Sequence, residues 1–350
     1  MATVKLSDVI DIEIYNGIEP ENNPQSLAFF ESGVVVQSPA LDAMAVAEAE
    51  LTNMPFWRDI NIGVEPNYSS DGDTRSSPLK IVQGRMKAKR AAINQSWAAR
   101  DLTNEVTMGV DAMTRIKART SHYWNLHLQD RIVAIALGAY RANIRAANAG
   151  MDAGFGVTGD MVTDVSIDNG VGTAPNFFSS AAFTEARFTM GESVDELGSV
   201  LVHPNIRKRM HLLNEIDFFQ DSTLQKTLEL YQGHRLVTSD KCPAFATTTG
   251  GGIRYITMLF GKAAFAFGSG TPSTPTEIDR DPSIGDGGGE ELLYERKTWL
   301  VHPNGYSNEN ATNSVAGGLW QNLSDLGLGT NWKRNFFRRN VPLAFLVTNG

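Results

Sequence analysis

Cysteine occurs once in the 350 residues, as Cys242. That excludes a disulfide framework and any cysteine-rich zinc site, and it fits a chain made in a reducing cytosol. Long apolar runs are missing: the best candidate, 132–137, falls far short of the ~20 residues that cross a bilayer, so no membrane partner is expected. The first eight residues carry no basic flank followed by an apolar block, so no secretory signal is expected either. The net charge is −8, and an acidic total argues against a general nucleic-acid binder, which is normally basic.

Motifs for chemistry are equally sparse. His122 and His127 lie five apart on one predicted helix, hence on different faces, and no H-E-x-x-H occurs. His203 and His302 each precede a proline at the end of a strand-like stretch and read as structural. Gly154, Gly156 and Gly159 satisfy G-x-G-x-x-G, but that fingerprint works between a strand and a helix. Here the order is reversed, so it reads as a turn. Gly261-Lys262 lacks the upstream glycine and the following Ser or Thr of a phosphate loop. Asp279, Asp281 and Glu290 are spaced like a calcium loop, yet Ile284 stands where the sharp turn needs glycine. Cys242 precedes Pro243 with no evident base. The expectation is no enzyme, no catalytic residue, no cofactor and no metal. A soluble enzyme using the 279–291 acidic loop is the reading that metal analysis tests.

What is present is an ordinary globular composition, 42% hydrophobic and 20% charged, long enough for roughly two domains or one large one. The charge is unevenly spread. Residues 1–74 hold 13 acidic and 2 basic residues, 75–150 hold 13 basic and 4 acidic, and 151–350 hold 16 basic and 22 acidic. Such blocks mark electrostatic pairing, within a chain or between copies, or else separately solvated surfaces.

Pro20, Pro24, Pro39 and Pro55 break up the first 60 residues, leaving a short helix at 40–51 in an arm of weak local structure. Strand-like runs at 60–64 and 79–82 flank the turn signal Ser69-Ser-Asp-Gly-Asp73 and predict a long hairpin over 58–92. That hairpin is polar on both faces, so it must lie against something else. Apolar residues recur at helical spacing through proline-free 111–148, with Asp111 as cap, an Asn148-Ala-Gly150 stop and a kink allowed at Gly138. Beyond 150 come short strands, then a strand at 198–203 leading into a helix with Pro204 in its first turn. A second helix is expected from Ser222 to Gly233 on the pattern Ser222-Thr-Leu-Gln225. Strands follow at 234–238, 253–260, 262–267, 292–302 and 341–348. The fold class is α+β, with antiparallel sheet rather than βαβ units. Leu-Val-His-Pro-Asn occurs at both 201–205 and 300–304, but nothing beyond the pentapeptide repeats.

Taken in order, these parts resemble the major capsid proteins of tailed bacteriophages, with the Hong Kong 97 type capsid fold, from about 56 to 306. The similar fragments are Leu201-Val-His-Pro204, the helix to Asn214, Tyr231-Gln-Gly233, Ser239-Asp240 with Pro243, Gly261-Lys-Ala, Glu277-Ile-Asp279-Arg-Asp281, and Arg296, Trp299, His302-Pro303 and Gly305 in sequence. The resemblance implies an N-terminal arm (1–57), an extended E-loop hairpin (58–92), a peripheral domain (93–196) with a spine helix at 111–148, an axial domain (197–330) and a C-terminal return strand (331–350). It implies self-assembly through hexamers and pentamers into an icosahedral shell around double-stranded DNA, contacted nonspecifically. Scaffolding, portal and decoration proteins are further implied partners, with assembly in the host cytoplasm and a place in the virion. An encapsulin-like nanocompartment shell around protein cargo is the alternative. No motif identifies a covalent lysine–asparagine cross-link. Since arms and E-loops of the family cross onto neighbours, acidic Glu13, Glu19, Glu21 and Glu31 are expected to meet basic Arg85, Lys87, Lys89 and Arg90 of another copy.

Overall fold

The computed structural model describes residues 32–46, 49–60, 64–73, 75–106, 112–146, 149–151, 156–221, 226–315 and 317–350. The chain opens with β1 (Val35–Gln37), α1 (Pro39–Val46), β2 (Leu51–Trp57) and β3 (Gln83–Arg100), then α2 (Asp101–Val106) and α3 (Ala112–Asn143). Next come β4 (Val162–Asp164), α4 (Ser180–Phe188), β5 (Leu197–Val202), α5 (Pro204–Leu212), β6 (Ile216–Asp221), β7 (Lys226–Tyr231) and β8 (His234–Thr238). The remainder is β9 (Ala244–Ala246), β10 (Ile253–Gly261), β11 (Phe265–Gly270), β12 (Thr276–Asp281), β13 (Glu290–Pro303) and β14 (Tyr306–Asn308). It ends in α6 (Leu323–Leu326), β15 (Trp332–Arg334) and β16 (Leu343–Asn349).

Two mixed sheets organise these elements. One has the order β1-β11-β13-β3-β2, with β12 also on β13; the other runs β4-β16-β10-β5-β8-β7-β6, with β9 on β10. Most pairs are antiparallel as expected. β5 and β8, β4 and β16, and β1 and β11 pair in parallel, however. The exclusion of crossover units therefore does not hold, since β5 returns to β8 through α5 and the β6–β7 hairpin.

The long helix is there, running unbroken through Gly138 for 32 residues, about 48 Å. Gly138 makes no kink. A Cβ there would overlap the Leu326 carbonyl and the Trp332 indole, so glycine lets the C-terminal segment approach the helix backbone. Of the expected apolar stripe, Ile132 and Ile135 are buried, whereas Leu137 is half-buried. Asp111, the expected cap, lies outside the described residues.

The eight-stranded sheet is covered on both faces, and its sequences show why. In β16, Leu343, Phe345 and Val347 join the core under α3, while Ala344 and Leu346 join the core under α4 and α5. In β10, Ile256, Met258 and Phe260 face the first and Leu259 the second. This is the period-2 alternation of a strand buried on both sides. α3 reaches both sheets: Trp124 packs edge-on to Trp299 of β13, and Tyr140 packs on Phe345 of β16.

Three expectations are corrected. The helix at 40–51 stops at Val46, and Leu51 already starts β2. The helix expected over 222–233 is β7 from Lys226 on, paired with β6 from Ile216 opposite Tyr231 to Asp221 opposite Lys226; Ser222 to Gln225 lie outside the described residues. A spacing of four, as in Leu224 and Leu228, fits a strand face as well as a helix face, so periodicity alone did not decide. The hairpin strands are β2 and β3, in register from Leu51 opposite Lys89 to Trp57 opposite Gln83. Among the described residues, 58–60, 64–73 and 75–82 form no strand. β11, β12 and β13 belong to the six-stranded sheet with the hairpin.

Candidate assembly surfaces

β3 is 18 residues long, roughly 60 Å at ~3.3 Å per residue. Its second part, from Arg90 to Arg100, pairs with β13, while its first part, 83–89, pairs with β2. The hairpin stem therefore runs past the end of β13. At its base it is held by Lys87 N–H donating to Ser307 Oγ (3.0 Å), Asn335 Nδ2 donating to the Arg85 carbonyl (3.0 Å), and an edge-to-face contact of Phe56 with Phe336. Beyond the stem, local hydrogen bonds join Arg58 N–H to the Val82 carbonyl, Asn67 to the Ser77 carbonyl, and Tyr68 to Glu65. This loop leaves large apolar side chains in solvent: Trp57 is 69% exposed, Tyr68 81% and Leu79 60%, with Ile60, Ile81 and Val82 exposed beside them. Apolar side chains gathered on one projecting element mark an interaction surface.

A second exposed apolar group sits at the far edge of the eight-stranded sheet. Leu212, Phe218 and Phe219 are largely exposed at the end of α5 and on edge strand β6.

The expected contact residues divide. Glu13, Glu19, Glu21 and Glu31 lie outside the described residues. Arg85 and Lys87 alternate with buried Ala88 on β3, Arg85 exposed and Lys87 half-buried. Lys89 is different: its side chain is 4% exposed, and its ammonium donates to Glu50 Oε1 (2.7 Å), Asn313 Oδ1 (2.7 Å) and Asn310 Oδ1. That group pins the stem to the loop after β14 inside its own subunit. Arg90, on the opposite strand face, reaches the Ala45 carbonyl (3.4 Å) and lies 5.9 Å from the Trp320 ring. Arg85 is thus exposed and Lys87 half-buried, whereas Lys89 is buried within its own subunit.

Sequence reasoning missed the polar junction that anchors the C-terminal segment. Arg334, 1% exposed, forms a two-pronged ion pair with Asp160, Nη1 to Oδ1 and Nη2 to Oδ2, both 2.7 Å. Asn143 at the end of α3 donates to the same Oδ1 (2.8 Å). Burial opposes the Asp160 charge, but the Arg334 and Asn143 hydrogen bonds outweigh it and hold the carboxyl below its usual range. Nearby, buried Asp325 accepts from the Ser314 hydroxyl (2.5 Å) and amide (2.8 Å) and from Asn322 N–H (3.2 Å). No motif marks these pairs, because 174 residues separate Arg334 from Asp160.

The other candidates for chemistry resolve into structure. Cys242 is buried, donates to the Ile256 carbonyl (3.0 Å), and has its thiol pushed up by burial, the reverse of a reactive thiolate. His203 accepts from Asn205 N–H at the start of α5. Asp279 and Asp281 lie on β12, and among the described residues no three His, Cys, Asp or Glu side chains are grouped to hold a metal ion.

No family model matches the chain. Over 346 residues it is 26% identical to the major capsid protein of Bacillus phage SPP1, covering 98% of each. Among solved structures, a chain of the Cyanophage Pam1 capsid asymmetric unit matches with a TM-score of 0.58 at 11% identity, over 95% of this chain and 94% of that one. The capsid of Ralstonia phage GP4 matches at 0.54 and 10% identity over 95% of both. At such identities the structures speak for the fold alone. The chain therefore shares the Hong Kong 97 type fold of these phage capsid chains and is similar over its full length to the SPP1 major capsid protein.

Proposed function

We propose that copies of this chain assemble through hexamers and pentamers into the icosahedral shell that encloses the phage double-stranded DNA, forming in the host cytoplasm and ending in the virion. The observation that carries this is the loop at 58–82, whose exposed apolar side chains nothing described in the subunit covers. Laid over a neighbour, they leave water, at about 25 cal/mol for each Å² of apolar surface removed. Closed symmetry repeats that modest gain at every interface. Arg85 and Lys87 at the stem would add electrostatic register against the acidic arm of another copy. Scaffolding, portal and decoration proteins would act on this shell, and DNA contact would be nonspecific.

The test replaces Ile60, Tyr68 and Leu79 with serine. The subunit stays folded, with a stability change within about 0.5 kcal/mol, and electron microscopy shows loss of rings and shells. Unimpaired assembly sinks the role of the loop. The particle's contents separate this reading from an encapsulin-like shell, which the relationship to a phage capsid protein over the whole length disfavours.

A further inference from the structure

The buried group at the hairpin base contains more than an ion pair. Around the Lys89 ammonium, whose side chain is 4% exposed, stand Glu50 Oε1 (2.7 Å), Asn313 Oδ1 (2.7 Å) and Asn310 Oδ1. Neutralising a buried ammonium takes only the carboxylate. The carboxamides beside it make a reaction available: an amine nucleophile, a carboxylate that can take its proton and an electrophilic carbon are held together. The surroundings keep that carbon still. Thr312 N–H donates to Asn331 Oδ1 (2.7 Å), and the Ser314 amide and hydroxyl donate to Asp325 (2.8 and 2.5 Å), so the backbone is clamped on both sides of Asn313. Asn310 is fixed as well, its N–H on Asn308 Oδ1 (2.9 Å) and its backbone in the left-handed region at φ 54°. Asn331, Asp325 and Asn308 are themselves buried. Such positioning turns a slow bimolecular step into an intramolecular one.

We propose that Lys89 and Asn313 join covalently, within one chain, through an isopeptide bond that the folded protein forms by itself. Glu50 takes a proton from the Lys89 ammonium, and the freed lone pair on Nζ attacks Asn313 Cγ. The Nζ–Cγ bond forms, the Cγ–Nδ2 bond breaks, and the carbonyl is restored. Two of the three Nζ protons depart with Nδ2, the first by way of Glu50, so one ammonium ion is released. Nothing is oxidised or reduced, and no water or co-reactant is consumed. Glu50 is the catalytic residue; Asn310, whose Oδ1 accepts from the same Nζ, is a positioning residue. At 30% side-chain exposure Glu50 also opens the group to solvent, the way out for ammonia. The product closes a ring across 224 positions of sequence. It ties the projecting stem to the loop after β14 even in an unfolded chain, and a tie across so long a stretch restricts the unfolded state strongly. It joins no two copies, so it stands or falls separately from shell formation.

The test is the intact mass of the full-length chain, purified and then denatured. The expected mass lies below that of the sequence by one ammonia, about 17 Da, as displacement of the carboxamide nitrogen requires. Trypsin should then leave a branched peptide uniting the segments that carry positions 89 and 313, with no cleavage at Lys89. Lys89→Arg, which keeps the positive charge, and Asn313→Ala should both restore the full mass. Glu50→Gln should slow the loss of ammonia at least roughly a hundredfold, while circular dichroism shows the chain still folded. Asn310→Ala should slow it less and yield the same branched peptide. The full sequence mass in the natural chain overturns the proposal without any variant. So does a deficit located at another asparagine, or one that forms in Glu50→Gln at the natural rate.

Discussion

The indole of Trp332 rests on Gly138, its ring N–H donating to the Leu326 carbonyl at 2.7 Å, both groups filling the space a side chain at 138 would occupy. Two arguments about Gly138→Ala therefore have opposite signs. Helix propensity favours alanine by about 1 kcal/mol. Overpacking against a carbonyl and a buried tryptophan costs about 1–3 kcal/mol, more where the backbone must move. The packing term is expected to win, so Gly138→Ala should lower the melting temperature of the subunit. A rise would mean the C-terminal segment does not dock on the helix as described.

Asp160→Asn removes the charge that faces Arg334 and leaves a guanidinium buried at 1% exposure. The expected loss is about 3–5 kcal/mol. Arg334→Lys should be nearly as damaging, because an ammonium cannot reproduce the two-pronged geometry. Chemical denaturation measures both; losses under 1 kcal/mol would make the pair dispensable.

His302 on β13 is buried, and burial pushes its pKa down to about 4. Below pH ~6.5 the unfolded chain takes up a proton that the folded one refuses. The contribution is therefore fully present above pH ~6.5 and is lost as pH falls toward 4, by about 1.4 kcal/mol per unit. Asp160, held low by Arg334, adds acid sensitivity of the same sign at lower pH. Melting curves between pH 7 and 4 should fall more steeply for the natural chain than for His302→Gln; parallel curves would remove His302 as the cause.

Charge reversal on β3 should split by position. Arg85→Glu with Lys87→Glu should leave the melting temperature nearly unchanged while slowing assembly, since an exposed pair contributes ~0–1 kcal/mol each but recurs at every interface. Reversing Glu19, Glu21 and Glu31 should partly restore the rate. Raising salt from 0.1 M to 1 M, which shortens the Debye length from about 10 Å to about 3 Å, should mimic the defect. Lys89→Glu should instead unfold the stem, placing an acid beside Glu50 in a buried site. If Lys89→Glu is neutral for folding, its three partners do not bind it in solution.

Much of this protein could be read along the chain. The spine helix declared itself through proline-free helical spacing, β5 and α5 through an apolar run closed by Pro204, and β10 and β16 through apolar runs too short to be helices. The order of such fragments was enough to carry the resemblance to phage capsid proteins. What the chain alone did not disclose is how distant stretches meet. β7 was open to either reading, because a spacing of four serves both a helix face and a strand face, and pairing with β6 settled it. Lys89 looked like any other surface cation of a basic strand; its burial depends on Asn310 and Asn313, more than 220 residues away. Gly138 looked like a weak point of the helix until Trp332 was placed against it. Local periodicity records which face of an element is buried. The closing of the chain decides what buries it, and thereby which charges are left to meet a neighbour.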